Sequence, residues 1–143
     1  MKINLVTVGR PKLEYAKRGF DEYFTRFSRL HTVRHTAVAD KYAYDAGYIL
    51  DATKATTRII LEIAGTEYTS EQLAAFLRKR ELESREISFI IGGPEGLPQA
   101  VRDAADYQWS LGRLTLPHDL AMVVTLEALY RASTINARLP YHK

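Results

Sequence analysis

A chain of 143 residues with 46% hydrophobic and 26% charged residues has the size and balance of one globular domain around one core. It contains no apolar run long enough to span a membrane and no charged-then-apolar leader over Met1 to Val8, so a cytoplasmic location is expected. The lack of cysteine excludes disulfides, thiol catalysis and thiolate metal sites, and a net charge of +3 scattered along the chain leaves any phosphate-binding face to be assembled by folding.

The apolar run Ile3 to Val8, closed by Gly9-Arg10-Pro11, predicts a first strand and its turn. Leu13, Ala16, Phe20, Tyr23, Phe24 and Phe27 then recur at helical spacing, opposite Glu14, Lys17, Arg18, Asp21 and Glu22. This is the pattern of an amphipathic helix lying on a sheet. Thr32 to Ala39 reads as a second strand, and Tyr42 to Thr57 as a partly helical, mobile stretch without chemistry. Arg58 to Ile63, closed by Ala64-Gly65, predicts a buried strand, and Thr69-Ser70-Glu71-Gln72 has the form of a capping box opening a helix to about Leu82. Glu86 to Ile91 predicts another strand, Pro98 to Tyr107 a helix with proline at its start, and Leu111 to Leu116 a last strand. The alternation implies a single-domain α/β fold with a mostly parallel sheet flanked by helices.

The closing helix, with Asp119 as its N-cap and an end near Arg138, is apolar nearly all round, unlike an ordinary surface helix. Glu127, Arg131, Thr134 and Arg138 form its single polar stripe, with Glu127 four residues before Arg131 in the favourable order. One flank is expected on the sheet and another on a second subunit.

Ligands of open α/β sheets sit beyond the carboxyl ends of the strands. Gly65, Gly92-Gly93 and Gly112 all fall at expected strand exits. Glycine lets the main chain approach a ligand closely, so the three turns suit a small, flat, polar-edged cofactor whose adenine edge and ribose are met by backbone groups. Neither G-x-G-x-x-G nor G-x-x-x-x-G-K-[ST] occurs, which argues against nicotinamide cofactors and nucleoside triphosphates. His31 and His35 have no partners at metal-ligand spacing, so no metal is expected.

Val6-Thr7-Val8-Gly9, Ile91-Gly92-Gly93-Pro94-Glu95-Gly96-Leu97, Trp109-Ser110-Leu111, Leu114-Thr115-Leu116-Pro117-His118, Leu129-Tyr130-Arg131-Ala132 and Pro140-Tyr141-His142 are spread almost end to end. Together they resemble the bacterial ribosomal large-subunit methyltransferase H family of the SPOUT superfamily. The resemblance implies a C-terminal deep trefoil knot, an obligate homodimer and S-adenosyl-L-methionine as cofactor. It also implies methylation of N3 of a pseudouridine in 23S ribosomal RNA on the assembled ribosome. Carried over residue by residue, it implicates Leu61, Gly92, Gly93 and the segment Leu111, Gly112, Arg113, Leu114, Thr115, Leu116, Pro117 in cofactor binding. Periodicity and composition do not indicate the knot, a rare exception to the rules of chain topology.

Methyl transfer is an in-line displacement that depends on alignment of the nucleophile, and an imide nitrogen must also lose its proton. The matching tail makes His142 the candidate base and Tyr141 its hydrogen-bonding or stacking partner, with Pro140 stiffening the approach. Glu95 is a secondary candidate for orienting the sulfonium or the base. His118 is expected to brace the cofactor turn, and Trp109 to belong to the core. Leu139, Lys143, Met122 and Ser133 depart from residues common in the family. Two alternatives are kept: a related SPOUT enzyme acting on another RNA such as transfer RNA, and a non-catalytic ribosome-binding protein with a residual cofactor pocket, for which Leu139, Lys143 and Met122 give room.

Overall fold

A computed structural model of the chain describes residues 1–83 and 85–141. Strands β1 (Lys2–Val8), β2 (Thr32–Val38), β3 (Thr57–Glu67), β4 (Ile87–Ile91) and β5 (Tyr107–Ser110) form one sheet in the order β2-β1-β4-β3-β5, every pair parallel. Helices α1 (Glu14–Ser28), α2 (Ala46–Ala52), α3 (Ser70–Glu81), α4 (Gln99–Asp103) and α5 (His118–Asn136) flank it.

Side chains alternate across the strands and so build a core on each face. Ile3, Leu5, Ile59, Ile87, Phe89 and Ile91 pack with Phe20, Phe27, Leu73, Leu77, Met122, Leu126 and Leu129 under α1, α3 and α5. Val6, Val38, Ile60 and Ile90 pack with Ile49, Leu97 and Val101 under α2 and α4. At roughly 25 cal/mol per Å² of apolar surface removed from water, these two clusters are the main favourable term in folding. Polar residues inside the second face are paired: Thr36 donates to Asn4 Oδ1 at 2.7 Å, and the Thr56 and Ser88 hydroxyls are 2.8 Å apart.

The capping box forms as expected, with the Gln72 amide donating to Thr69 Oγ1 and the Thr69 amide to Gln72 Oε1. Several other boundaries differ. Residues 42–57 are packed rather than loose: α2 is capped by Asp45, Ile49 is fully buried, and the Tyr42 and Tyr48 rings stack at 4.3 Å. The helix expected to reach Tyr107 stops at Asp103, because Asp106 turns back to accept from the Arg58 amide at 2.8 Å and Tyr107 enters β5. The strand expected over 111–116 is a loop, and β5 precedes it. Gly112 has φ +131°, a value that breaks an extended run, and Leu114 is 81% exposed.

Asp119 does not cap α5, whose N-cap is Pro117. Its carboxylate instead accepts from the amides of Lys12 and Leu13, where the chain enters α1. The expected stripe on α5 is also interrupted, since Thr134 is buried and its hydroxyl donates to the Arg131 carbonyl, while Arg138 lies past the helix end at φ 57°. The flanks of α5 are taken by α1 and α3. The approach to α1 is close: a Cβ on Gly19 would lie 3.0 Å from Val123 Cγ1.

Gly65 is not at a strand exit. β3 pairs with β5 at Leu61–Trp109 and again at Thr66–Trp109, so the four residues between leave the ladder and the strand then returns. A Cβ at Gly65 would come within 2.7 Å of the Gln108 backbone carbon. Glycine is required there by that approach.

Candidate active site

The carboxyl ends of β3, β4 and β5 enclose a cavity of about 380 Å³, within the usual range for a small-molecule site. Its walls come from Leu61, Glu62 and Ile63 of β3, the turn from Ile91 to Leu97 after β4, Leu111, Gly112 and residues 114–116 after β5, and Arg102, His118 and Ala121 from α4 and α5. Leu61, Gly92, Gly93, Leu111, Gly112, Leu114, Thr115 and Leu116 are thus brought together. Arg113 and Pro117 belong to the same loop without lining the cavity, and Gly65 stays outside it, among the β5 contacts.

Local sequence explains the turn after β4. Gly93 and Gly96 form an isolated antiparallel bridge, and the Gly96 amide donates to the Gly93 carbonyl at 3.0 Å. A Cβ on Gly92 would lie 2.9 Å from both the Gly96 carbonyl carbon and Leu97 Cγ. At Gly93 the nearest atom would be Val8 Cγ1 at 3.4 Å, an ordinary contact. The second loop is held by Ser110, whose hydroxyl donates to the Gly112 carbonyl and accepts from the Gly112 amide, each at 3.1 Å. His118 Nε2 donates to the Val8 carbonyl at 2.8 Å, bracing the start of α5 against the end of β1.

The β3 excursion carries Glu62 to the cavity wall, where its Oε2 lies 3.4 Å from Arg102 Nε. That Nε is buried and has no hydrogen-bond acceptor among the described residues. Neither side chain belongs to the family motifs, although a carboxylate inside the run Ile59-Ile60-Leu61-Glu62-Ile63 is itself a signal, because charge is rarely placed in a buried strand without a partner. Glu95 is exposed on the cavity rim. Among the described residues, no group of three or more His, Cys, Asp or Glu is placed to hold a metal ion, and no helix is long and apolar enough to cross a membrane.

A family model described as predicted SPOUT methyltransferase matches residues 1–142. The ribosomal RNA large subunit methyltransferase H of Deinococcus radiodurans is 46% identical over 145 residues, covering 100% of this chain and 99% of that protein. The chain belongs to the ribosomal RNA large subunit methyltransferase H family. Members from Deinococcus deserti and Dichelobacter nodosus are 43% and 37% identical, each over 100% of this chain and 100% and 99% of theirs. The crystal structure of the SpoU methyltransferase AviRb from Streptomyces viridochromogenes, in complex with AdoMet, aligns with TM-score 0.44 at 12% identity over 96% of this chain and 61% of that one.

In this methyltransferase H fold Tyr141 does not line the cavity. Tyr141 packs edge-on to Tyr130 at 4.7 Å and beneath the Arg131 guanidinium at 4.9 Å, and its hydroxyl is 3.2 Å from that of Tyr23 and donates to Glu127 at 3.4 Å. Arg131 is paired with Glu127 at 2.6 Å, the spacing noted in the sequence. Burial, followed by the Tyr23 hydrogen bond, pushes the Tyr141 phenol above its ordinary value, so the hydroxyl stays protonated and serves as a donor. His142 lies outside the described residues.

Proposed function

We propose that this chain is an S-adenosyl-L-methionine-dependent methyltransferase that methylates N3 of a pseudouridine in 23S ribosomal RNA within the assembled ribosome. It works in the cytoplasm as a homodimer, with the deep trefoil knot that the family resemblance implies. The observation that carries this proposal is the cavity at the strand ends, in a chain 46% identical from end to end to a ribosomal RNA methyltransferase.

The residues present fit the cofactor. Leu61, Leu97, Leu111 and Leu116 offer apolar walls that exclude water, and the main-chain groups of Gly92, Gly93, Gly112 and residues 114–116 offer donors and acceptors at its edges. The Glu62 carboxylate, in contact with Arg102 at 3.4 Å, leaves hydrogen-bonding capacity in the wall. When bound, S-adenosyl-L-methionine supplies an electrophilic methyl group. The protein aligns the imide nitrogen in line with it, a contribution worth roughly 7–11 kcal/mol when positioning is complete. His142 removes the imide proton, and Tyr141, held protonated, donates to or stacks on the base.

Tyr141 is anchored beside residues 127–131 of α5, while the cavity touches His118 and Ala121. At 1.5 Å per residue, the twelve steps from His118 to Tyr130 span roughly 18 Å of helix. The tail of one subunit therefore serves the cavity of its partner, and the half-buried apolar positions Leu120, Val124 and Ala128 of α5 supply the surface between them. The test is labelled methyl transfer from S-adenosyl-L-methionine to ribosomes, isolated 23S RNA and transfer RNA lacking the modification. Label in 23S RNA, with ribosomes the best substrate, supports the proposal. Label in transfer RNA alone, or none with cofactor bound, moves the chain to one of the two alternatives.

A further inference from the structure

The cavity wall carries one polar pair that methyl transfer itself leaves unused. β3 leaves its ladder with β5 after Leu61 and rejoins at Thr66, and this excursion places Glu62 on the wall, which Arg102 also lines. Arg102 faces the Glu62 carboxylate from α4 at 3.4 Å, an ion contact in which Nε has no hydrogen-bond acceptor among the described residues. The guanidinium also rests on the turn after β4, since a Cβ on Gly96 would lie 3.0 Å from its Nη2. Arg102 thus ties the β4 turn to the β3 excursion and fixes where the carboxylate sits.

A carboxylate offers about four acceptor sites, and one unaligned guanidinium contact leaves most of them free. Its charge is balanced by Arg102, so it suits paired neutral donors better than an isolated cation. Vicinal hydroxyl groups present two donors at the spacing of two carboxylate oxygens. We propose that Glu62 binds the ribose diol of the cofactor, with Arg102 as its positioning residue, an inference that rests on the cofactor assignment above. Among the described residues, no other carboxylate-bearing residue lines the cavity except Glu95, which is exposed at the rim.

The test is isothermal titration calorimetry of the full chain with S-adenosylhomocysteine and with its 2′-deoxy counterpart. Wild type is expected to prefer the diol by about tenfold or more, the scale of a hydrogen bond to a charged group. Glu62→Gln should bind S-adenosylhomocysteine about tenfold more weakly, bind the deoxy compound with little change, and lose most of the preference. Arg102→Gln should reduce the preference and Arg102→Lys restore part of it. Should Glu62→Gln prove unstable in thermal melts, Glu62→Asp withdraws the carboxylate while keeping its charge, and the preference should fall there too. Tight binding by wild type with the diol preference intact in the Glu62 variants overturns the proposal and leaves the cofactor assignment standing. Failure of wild type to bind S-adenosylhomocysteine overturns both.

Discussion

The Asp119 carboxylate at the start of α5 accepts a 2.7 Å hydrogen bond from the amide of Leu13, the N-cap residue of α1, and a second of 2.8 Å from Lys12. Two segments more than a hundred residues apart are joined by one side chain that is 8% exposed, close to His118 on the cavity wall. Replacing Asp119 with Ala leaves both amides without this partner and should cost about 2 kcal/mol of stability. Urea unfolding of the two proteins measures it, and a difference below about 0.5 kcal/mol would mean that water replaces the carboxylate.

Glycine substitutions should separate according to what a Cβ meets. Gly65→Ala drives a methyl group into the β5 backbone at 2.7 Å and should destabilise by about 2 kcal/mol or more. Gly93→Ala meets only the Val8 side chain at 3.4 Å and should stay within about 0.5 kcal/mol of wild type while weakening cofactor binding. Denaturant unfolding together with calorimetric titration distinguishes the two. Equal stability of both variants would contradict the close β3–β5 approach.

Two histidines make stability depend on pH. Burial, reinforced by the amino terminus and opposed by Glu81, lowers His31 to about 4; burial, reinforced by Arg10, lowers His35 to about 4. Both fall from an unfolded value of 6.5. Between those limits the unfolded chain binds more protons, so the contribution is complete above pH 6.5 and is lost as pH falls toward 4. With both rings only partly shielded from solvent, the combined loss should be roughly 3 kcal/mol. Stability of wild type minus that of a His31→Gln, His35→Gln double variant, followed from pH 7.5 to 4.5, should shrink over this window. A constant difference would show that the rings titrate normally.

Mixing two inactive variants tests the shared site. His142→Ala keeps an intact cavity, and Gly93→Leu keeps an intact tail while filling the cavity. Random exchange into heterodimers should restore about one quarter of wild-type methyl transfer, because each heterodimer contains one intact cavity facing one intact tail. No recovery after verified exchange would place tail and cavity of the same subunit together.

Most of the fold was legible because it is written in local pattern. The runs Ile3 to Val8 and Glu86 to Ile91, the helical spacing of Phe20, Tyr23 and Phe27 and the Thr69–Gln72 box all became elements close to where they were expected. The segment 111–116 failed because its leucines have a strand's apolarity but serve a cavity wall, and Gly112 adopts a backbone that no strand uses. Gly65 and Asp119 were misplaced for a related reason: what each does depends on a strand or loop distant in sequence, Gln108 in one case and Leu13 in the other. The candidate site was found through glycine turns and family motifs. Glu62 and Arg102 escaped because their pairing arises from a β-bulge, which leaves little trace in periodicity.

The central claim is methylation of a pseudouridine, and its most direct test is transfer of labelled methyl from S-adenosyl-L-methionine to ribosomes lacking the modification. Parallel samples carry uridine in place of pseudouridine, and a parallel enzyme carries His142→Ala. The predicted result is labelling of the pseudouridine ribosomes alone, lost with the variant. Equal labelling of the uridine ribosomes, or undiminished activity of His142→Ala, would contradict the proposed substrate or the proposed base respectively.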